Sequence, residues 1–244
     1  MARHPNLIAT VAPLALMVAG PLPAQEEAKR PWQLQTDFGL VNTAGNTSTT
    51  TLNAGERGSY QTGAWTFAQQ FSVVYGETDG RKSAESYRAV LRGDHALTKR
   101  VGLYVLGAWD RNRFAGVARR FEEGGGFSFK AIAGEETTLS LEAGLGGTQQ
   151  RDLAGTSRSF VTGRGALLLK QMLNDRAYVQ QLAEVLPNLK QSDDVRIESE
   201  TALVAPLSSH IALKAGYVVH FDNRPEPGFE NTDRFLTSGL QVVF

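Results

Sequence analysis

From Trp32 to Phe244 the chain alternates apolar and polar residues in successive runs of about ten to fourteen, with no sustained helical periodicity between them. A period of two sends neighbouring side chains to opposite faces of a strand, so each run is a strand with one apolar and one polar face. Twelve such runs can be drawn. The first, Trp32 to Asn42, sets Trp32, Leu34, Phe38 and Leu40 against Gln33, Gln35, Asp37 and Gly39. The second, Thr49 to Tyr60, sets Leu52 and Ala54 against Asn53 and Arg57, and the third, Ala64 to Gly76, sets Trp65, Phe67, Phe71, Val73 and Tyr75 against Thr66, Ala68, Gln70 and Ser72. In the fourth, Glu85 to Leu97, Tyr87, Ala89 and Leu91 oppose Arg88, Arg92 and Asp94, while His95 interrupts the apolar face. The fifth, Val101 to Asn112, opposes Leu103, Val105 and Trp109 to Tyr104 and Asp110; the sixth, Arg120 to Ala133, opposes Phe127, Phe129 and Ala131 to Glu122, Ser128 and Lys130. The seventh, Thr137 to Gln150, is the cleanest, with Leu139, Leu141, Ala143 and Leu145 against Ser140, Glu142, Gly144 and Thr148.

The eighth run, Ser159 to Met172, opposes Val161, Leu167 and Leu169 to Arg164 and Lys170. In the ninth, Ala177 to Leu189, Leu182 and Leu186 share a face with Gln180 and Glu184, so periodicity leaves its facing open. The tenth, Val195 to Ala205, opposes Ile197 and Leu203 to Arg196, Glu198 and Glu200; the eleventh, Ile211 to Phe221, opposes Leu213, Tyr217 and Val219 to Lys214 and His220. The last, Asp233 to Phe244, carries Leu236, Leu240, Val242 and Phe244 on one face and ends the chain on an aromatic ring.

The connections alternate too. Gln61 to Gly63, Thr98 to Arg100, Gly134 to Glu136, Asn174 to Arg176 and Pro206 to His210 read as tight turns, and the intervening segments, among them Glu77 to Ala84 and Asn223 to Thr232, as longer loops. Short turns on one side and long loops on the other are the habit of outer-membrane barrels. Two packed sheets could also hide the apolar faces, but they leave edge strands unpaired, and a sheet facing lipid must close on itself. The sequence therefore predicts an all-β, closed antiparallel transmembrane barrel of twelve strands over 32–244, in which the last strand closes against the first. Its apolar side chains meet lipid. Its charged candidates Arg92, Asp94, Glu142, Arg164, Arg196, Glu198, Glu200 and Lys214 meet the lumen, and Trp32, Trp65, Tyr75, Trp109, Tyr217, Phe221 and Phe244 form an interfacial girdle.

Ahead of the barrel, residues 1–24 run from Arg3 and His4 through the apolar stretch Leu7 to Val18 to Pro21–Ala24, the order of a cleaved secretory signal peptide, and 25–31 form a short polar lead-in. The stretch is shorter than the roughly 20 residues of a spanning helix and carries Pro13. The chain contains no cysteine, which excludes disulfides and a lipid-modified cysteine. Loss of Arg3 with the signal peptide leaves 24 basic against 25 acidic residues, a balance that excludes a nucleic-acid footprint.

Thr237, Gly239, Val242 and Phe244 resemble the C-terminal recognition signal of bacterial outer-membrane barrels, which implies the barrel assembly machinery and outer-membrane lipid as partners. Gly45-Asn46-Thr47, Arg92-Gly93-Asp94, Trp109-Asp110 followed by Phe114, and Arg119-Arg120 leading to Gly124–Gly126 resemble the salt-induced outer-membrane protein family. That resemblance spans nearly the whole mature chain. It implies a barrel in the bacterial outer membrane and, at most, expression linked to salt or osmotic stress.

Chemistry-bearing residues converge only in the lumen. Inward charges of mixed sign predict an envelope-structural role or narrow, weakly selective passage of small solutes rather than an enzyme. The alternative is a lipid hydrolase with a serine nucleophile and a histidine base. The mature histidines are His95, His210 and His220; only His220, two residues before Asp222, lies near the loop rim, and its inward face points away from lipid. No catalytic residue, cofactor or metal is assigned. Asp193-Asp194 reads as a solvated acidic turn, and Gly124–Gly126, followed by no helix, reads as close strand packing or a bulge rather than a phosphate loop.

Overall fold

The computed structural model describes residues 31–43 and 49–243. The expected signal peptide 1–24, the lead-in up to residue 30, the Gly45-Asn46-Thr47 motif and Phe244 lie outside the described residues. The strands are β1 (Trp32–Thr43), β2 (Thr49–Thr62), β3 (Trp65–Thr78), β4 (Arg81–Ala96), β5 (Val101–Asn112), β6 (Val117–Ala133), β7 (Thr137–Asp152), β8 (Ser157–Met172), β9 (Tyr178–Pro187), β10 (Val195–Pro206), β11 (Ile211–Asp222) and β12 (Thr232–Val243). Each pairs antiparallel with its sequence neighbours, and β12 returns to β1, so the sheet is a closed barrel. The two-sheet alternative is thereby excluded.

Period-two patterning builds the strands, and the barrel turns them so that the polar row points inward. Phe67, Phe71, Leu91, Val105, Phe127, Leu145 and Leu236 stand exposed on the outside, Leu236 at 83 %. Trp65 stacks on Phe67 at 5.9 Å and meets His95 at 4.5 Å, which accounts for the histidine on the outward row of β4. A bulge between Lys130 and Ile132 shifts the end of β6, so Ile132 rather than Ala131 emerges on the outer face. The outer wall is not wholly apolar. Glu56, in register with Thr36 and Phe71, accepts a 3.0 Å hydrogen bond from Gln69, and Gln181 donates to Ser199 at 2.8 Å.

Several loops are shorter than the sequence predicts because the strands run on past them. The expected loop Glu77 to Ala84 is a two-residue turn, Asp79-Gly80, with φ of 50° and 74°. Positive φ at both central positions is the turn that matches the right-handed twist of a hairpin, and Asp-Gly is among its preferred sequences. The connection between β7 and β8 is likewise short, residues 153–156. Between β5 and β6 a single 3₁₀ turn, Arg113–Ala115, is capped by Asn112, whose side chain accepts from the amides of Phe114 and Ala115. Gly116 ends it at φ 77°. The widest described connection, residues 223–231 between β11 and β12, folds inward over one end of the barrel.

Candidate functional site

The ring order decides which side chains can meet. In a closed ring of twelve, β4 and β10 stand on opposite sides, so a contact between them must cross the lumen. Arg88 of β4 makes that crossing, reaching Glu198 of β10 at 3.5 Å, with Asp110 at 3.5 Å and Glu122 at 4.0 Å on its own side. Arg196, beside Glu198 on β10, returns the bridge to Glu122 of β6. Arg120 fills the gap between them, 3.7 Å from Asp110, with its Nε donating to Gln150 at 2.7 Å.

A second cluster lies towards the turn end of the same wall. Arg92 donates twice to Asp94, at 2.8 and 2.7 Å, and twice to Glu142, at 3.0 and 2.7 Å. Glu142 also accepts from Arg164 at 2.6 Å, and Arg164 donates its Nε to Glu184 at 2.6 Å. Tyr104 lies against these two arginines, its ring 4.6 Å from the Arg92 guanidinium and 5.0 Å from that of Arg164, and is only 2 % exposed. Glycine makes room for it. Gly124 and Gly126 of β6 pair with Gly146 and Gly144 of β7, and a side chain on Gly144 would strike the Tyr104 hydroxyl. In the run Gly124–Gly126 an added Cβ would instead meet backbone carbonyls of the flanking strands, those of Leu145, Tyr104 and Ala143, so these positions lack Cβ atoms because the strands pack closely, as the sequence reading expects.

A third cluster staples the closure. Lys214 of β11 binds Asp37 of β1 and Glu200 of β10, each at 3.0 Å, and Arg57 of β2 binds Glu200 at 3.0 Å. Gln241 of β12, 2 % exposed, donates to Asp37 at 3.0 Å. These contacts tie strands on both sides of the β1–β12 seam from within. Across the three clusters Arg57, Arg88, Arg92, Arg120, Arg164, Arg196 and Lys214 face Asp37, Asp94, Asp110, Glu122, Glu142, Glu184, Glu198 and Glu200. The signs nearly balance, seven cations against eight carboxylates. Confined charges of this kind are costly unless each finds a partner, and here each does.

All eight charged residues singled out from the sequence lie on the inner face. Arg92, Asp94, Glu142 and Arg164 meet in one cluster, Glu200 and Lys214 in another, and Arg196 and Glu198 flank the Arg88 crossing. Sequence reasoning left out Arg57, Arg88, Asp37, Asp110, Arg120, Glu122 and Glu184 as site residues, although they share the parity of those it chose. Of the tail residues, Thr237 donates its hydroxyl to the Gly216 carbonyl at 3.3 Å, Gly239 approaches the Phe38 carbonyl too closely for a Cβ, and Val242 pairs with Thr36 and Ile211. The histidines are not brought together. His210 sits in the β10–β11 turn beside Ser209, and His220 lies on the inner row in register with Glu198 and Asp233. Asp193 and Asp194 fasten loops instead, to Arg224 at 3.5 Å and Asn188 at 2.8 Å. Among the described residues no cluster of His, Asp and Glu has an arrangement that could hold a metal ion.

Residues 36–244 match the model of a family described as protein of unknown function, DUF481. An uncharacterized protein of Escherichia coli (strain K12), YdiY, is 26% identical over 216 residues, covering 87% of this chain and 83% of its own. Among solved structures, the NanC porin is 10% identical with a TM-score of 0.48 over 87% of this chain and 97% of its own. The translocator domain of the autotransporter NalP from Neisseria meningitidis is 14% identical with a TM-score of 0.44 over 90% of each chain.

Proposed function

The chain belongs to the DUF481 family of proteins of unknown function, and from that premise we propose that it is an outer-membrane barrel whose lumen is held shut by ion pairs. Its role is envelope-structural, with narrow and weakly selective passage of small solutes when the bridges rearrange. One observation carries this: Arg88 and Glu198 join opposite strands through the centre of the ring. The apolar outer wall supports lipid as its surroundings, since an exposed surface of Phe and Leu side chains is favoured in hydrocarbon and penalised in water. Export through a cleaved signal peptide and delivery by the barrel assembly machinery through the last strand belong to the same proposal, as does a link to salt or osmotic stress.

No enzymatic step is assigned to the barrel. A lipid hydrolase would need His220 to reach the outer wall, and its register with Glu198 and Asp233 keeps it on the inner one. Planar-bilayer recording tests the proposal. The wild type is expected to give conductance steps far below those of an open porin, and the Arg88→Ala, Glu198→Ala double variant larger ones. Large, steady wild-type steps that the double variant leaves unchanged would overturn it.

A further inference from the structure

At the loop end of the barrel the connection 223–231 leaves β11 and crosses to strands three to five places away in the ring. Glu226 is its furthest reach. Its Oε1 accepts from the side-chain amide of Gln150 at 2.6 Å and from the Arg158 guanidinium at 2.7 Å. The loop rests directly on Gly116: a Cβ there would come within 2.6 Å of the Glu226 Cβ and 2.9 Å of a Phe229 ring carbon. The near end is tied as well, with Asn223 accepting from the Val195 amide at 2.7 Å and Arg224 3.5 Å from Asp193. Beneath the latch Gln150 is 4 % exposed and is itself held by Arg120, so its amide donor is fixed in place before Glu226 arrives.

A guanidinium and an oriented amide converging on one oxygen make a receptor for a carboxylate. We infer that the mouth carries a carboxylate-binding site built from Arg158 and Gln150, that the chain fills it with its own Glu226, and that a carboxylate solute displaces Glu226 and frees the loop as a lid. The inference rests on the proposed barrel having solvent at this rim. It does not need the lumen below to conduct.

The natural chain has no cysteine, so a single one can report on the lid. Thr148, 1 % exposed and one inward position below Gln150, is replaced in the full-length refolded protein by Thr148→Cys, and its labelling by a neutral maleimide is timed. Thr162→Cys, at the residue hydrogen-bonded to Thr148 at 2.7 Å, serves if the first variant does not refold. Labelling is expected to be slow, to rise about tenfold or more when Glu226→Gln is added, and to rise with gluconate but not with sorbitol or matched chloride. Arg158→Gln should abolish the gluconate response. Labelling that Glu226→Gln leaves unchanged would overturn the lid, and a lid that Glu226→Gln opens but gluconate does not would overturn the carboxylate site. Failure of the proposed closed lumen would show instead in bilayer conductance, which this assay does not read.

Discussion

Removing Glu142 tests how much of the barrel's stability resides in its interior charges. Its side chain is 4 % exposed and accepts three hydrogen bonds, two from Arg92 and one from Arg164. Breaking a buried pair from one side costs about 3–5 kcal/mol, because the remaining charge keeps its desolvation penalty without its partner. Here two cations lose one carboxylate, but Arg92 keeps Asp94 and Arg164 keeps Glu184, so Glu142→Ala should fall at the lower end, about 3 kcal/mol. Arg92→Met should remove much of the same interaction. The double variant is then less damaged than the sum of the singles, with a coupling of about 1–3 kcal/mol. Urea unfolding of protein refolded into lipid vesicles, read as the fraction keeping the folded mobility on unboiled gels, gives all four corners of the cycle. A loss below about 1 kcal/mol for Glu142→Ala, or singles that add within about 0.5 kcal/mol, would refute the claim that the cluster acts as one unit.

Lys214→Met should loosen the β1–β12 closure, lowering the unboiled folded fraction after refolding while leaving secondary structure by circular dichroism in place; an unchanged fraction would show that the seam does not depend on the inner staple. Gly144→Ala should cost about 1–3 kcal/mol by pushing its new methyl against both the Tyr104 hydroxyl and the Gly125 carbonyl, and Tyr104→Phe should recover only the hydroxyl's part of that loss. Equal damage with and without Tyr104→Phe would place the clash elsewhere. Deleting Phe244 should cut outer-membrane levels far more than synthesis, measured by fractionation after pulse labelling, and normal levels would count against a terminal recognition signal.

The strands were legible because each sequence run keeps one period for its whole length. The unbroken alternation from Leu139 to Leu145 in β7 fixes which way Glu142 points, and the β5 limits, Val101 and Asn112, coincide with those read from the sequence. Belonging to the matched family bears out the family-level resemblance drawn from the short motifs. The ninth run was ambiguous for a physical reason. Its inner row mixes Leu186, 6 % exposed, with Glu184, so β9 lends the lumen wall an apolar contact that periodicity cannot tell from a lipid-facing one. Asp79-Gly80 was legible and was missed, since the polar residues around it favoured a long loop over its two-residue turn. What parity could not supply was distance across the ring. Arg88 is recognisable as inward from β4 alone, yet its meeting with Glu198 depends on strand count and closure together. Glu226, in a segment without period, had no sequence signal at all.

The interior charges and the closure solve related problems. Among the described residues β1 and β12 share four paired positions, Gln35 to Phe38 against Val243 to Leu240, where β8 and β9 share eight and β6 and β7 fifteen. A ladder that short leaves the last strand weakly held by backbone bonds, and Gly39 and Gly239 sit where the two backbones come too close for side chains. The lumen makes up the difference: Gln241 on β12 and Lys214 on β11 both bind Asp37 on β1, and Glu200 carries the tie onward to Arg57 on β2. Apolar side chains could not take this role across the width of the lumen, because they would need contact packing rather than reach, whereas long charged side chains span the gap and hold direction through hydrogen bonds. The seam cluster of Asp37, Lys214 and Glu200 therefore both lines the lumen and closes the sheet. Widening the lumen at Lys214 or Asp37 should weaken closure, whereas widening it at Arg88, remote from the seam, should not, and that separation distinguishes a wall built for passage from one built for integrity.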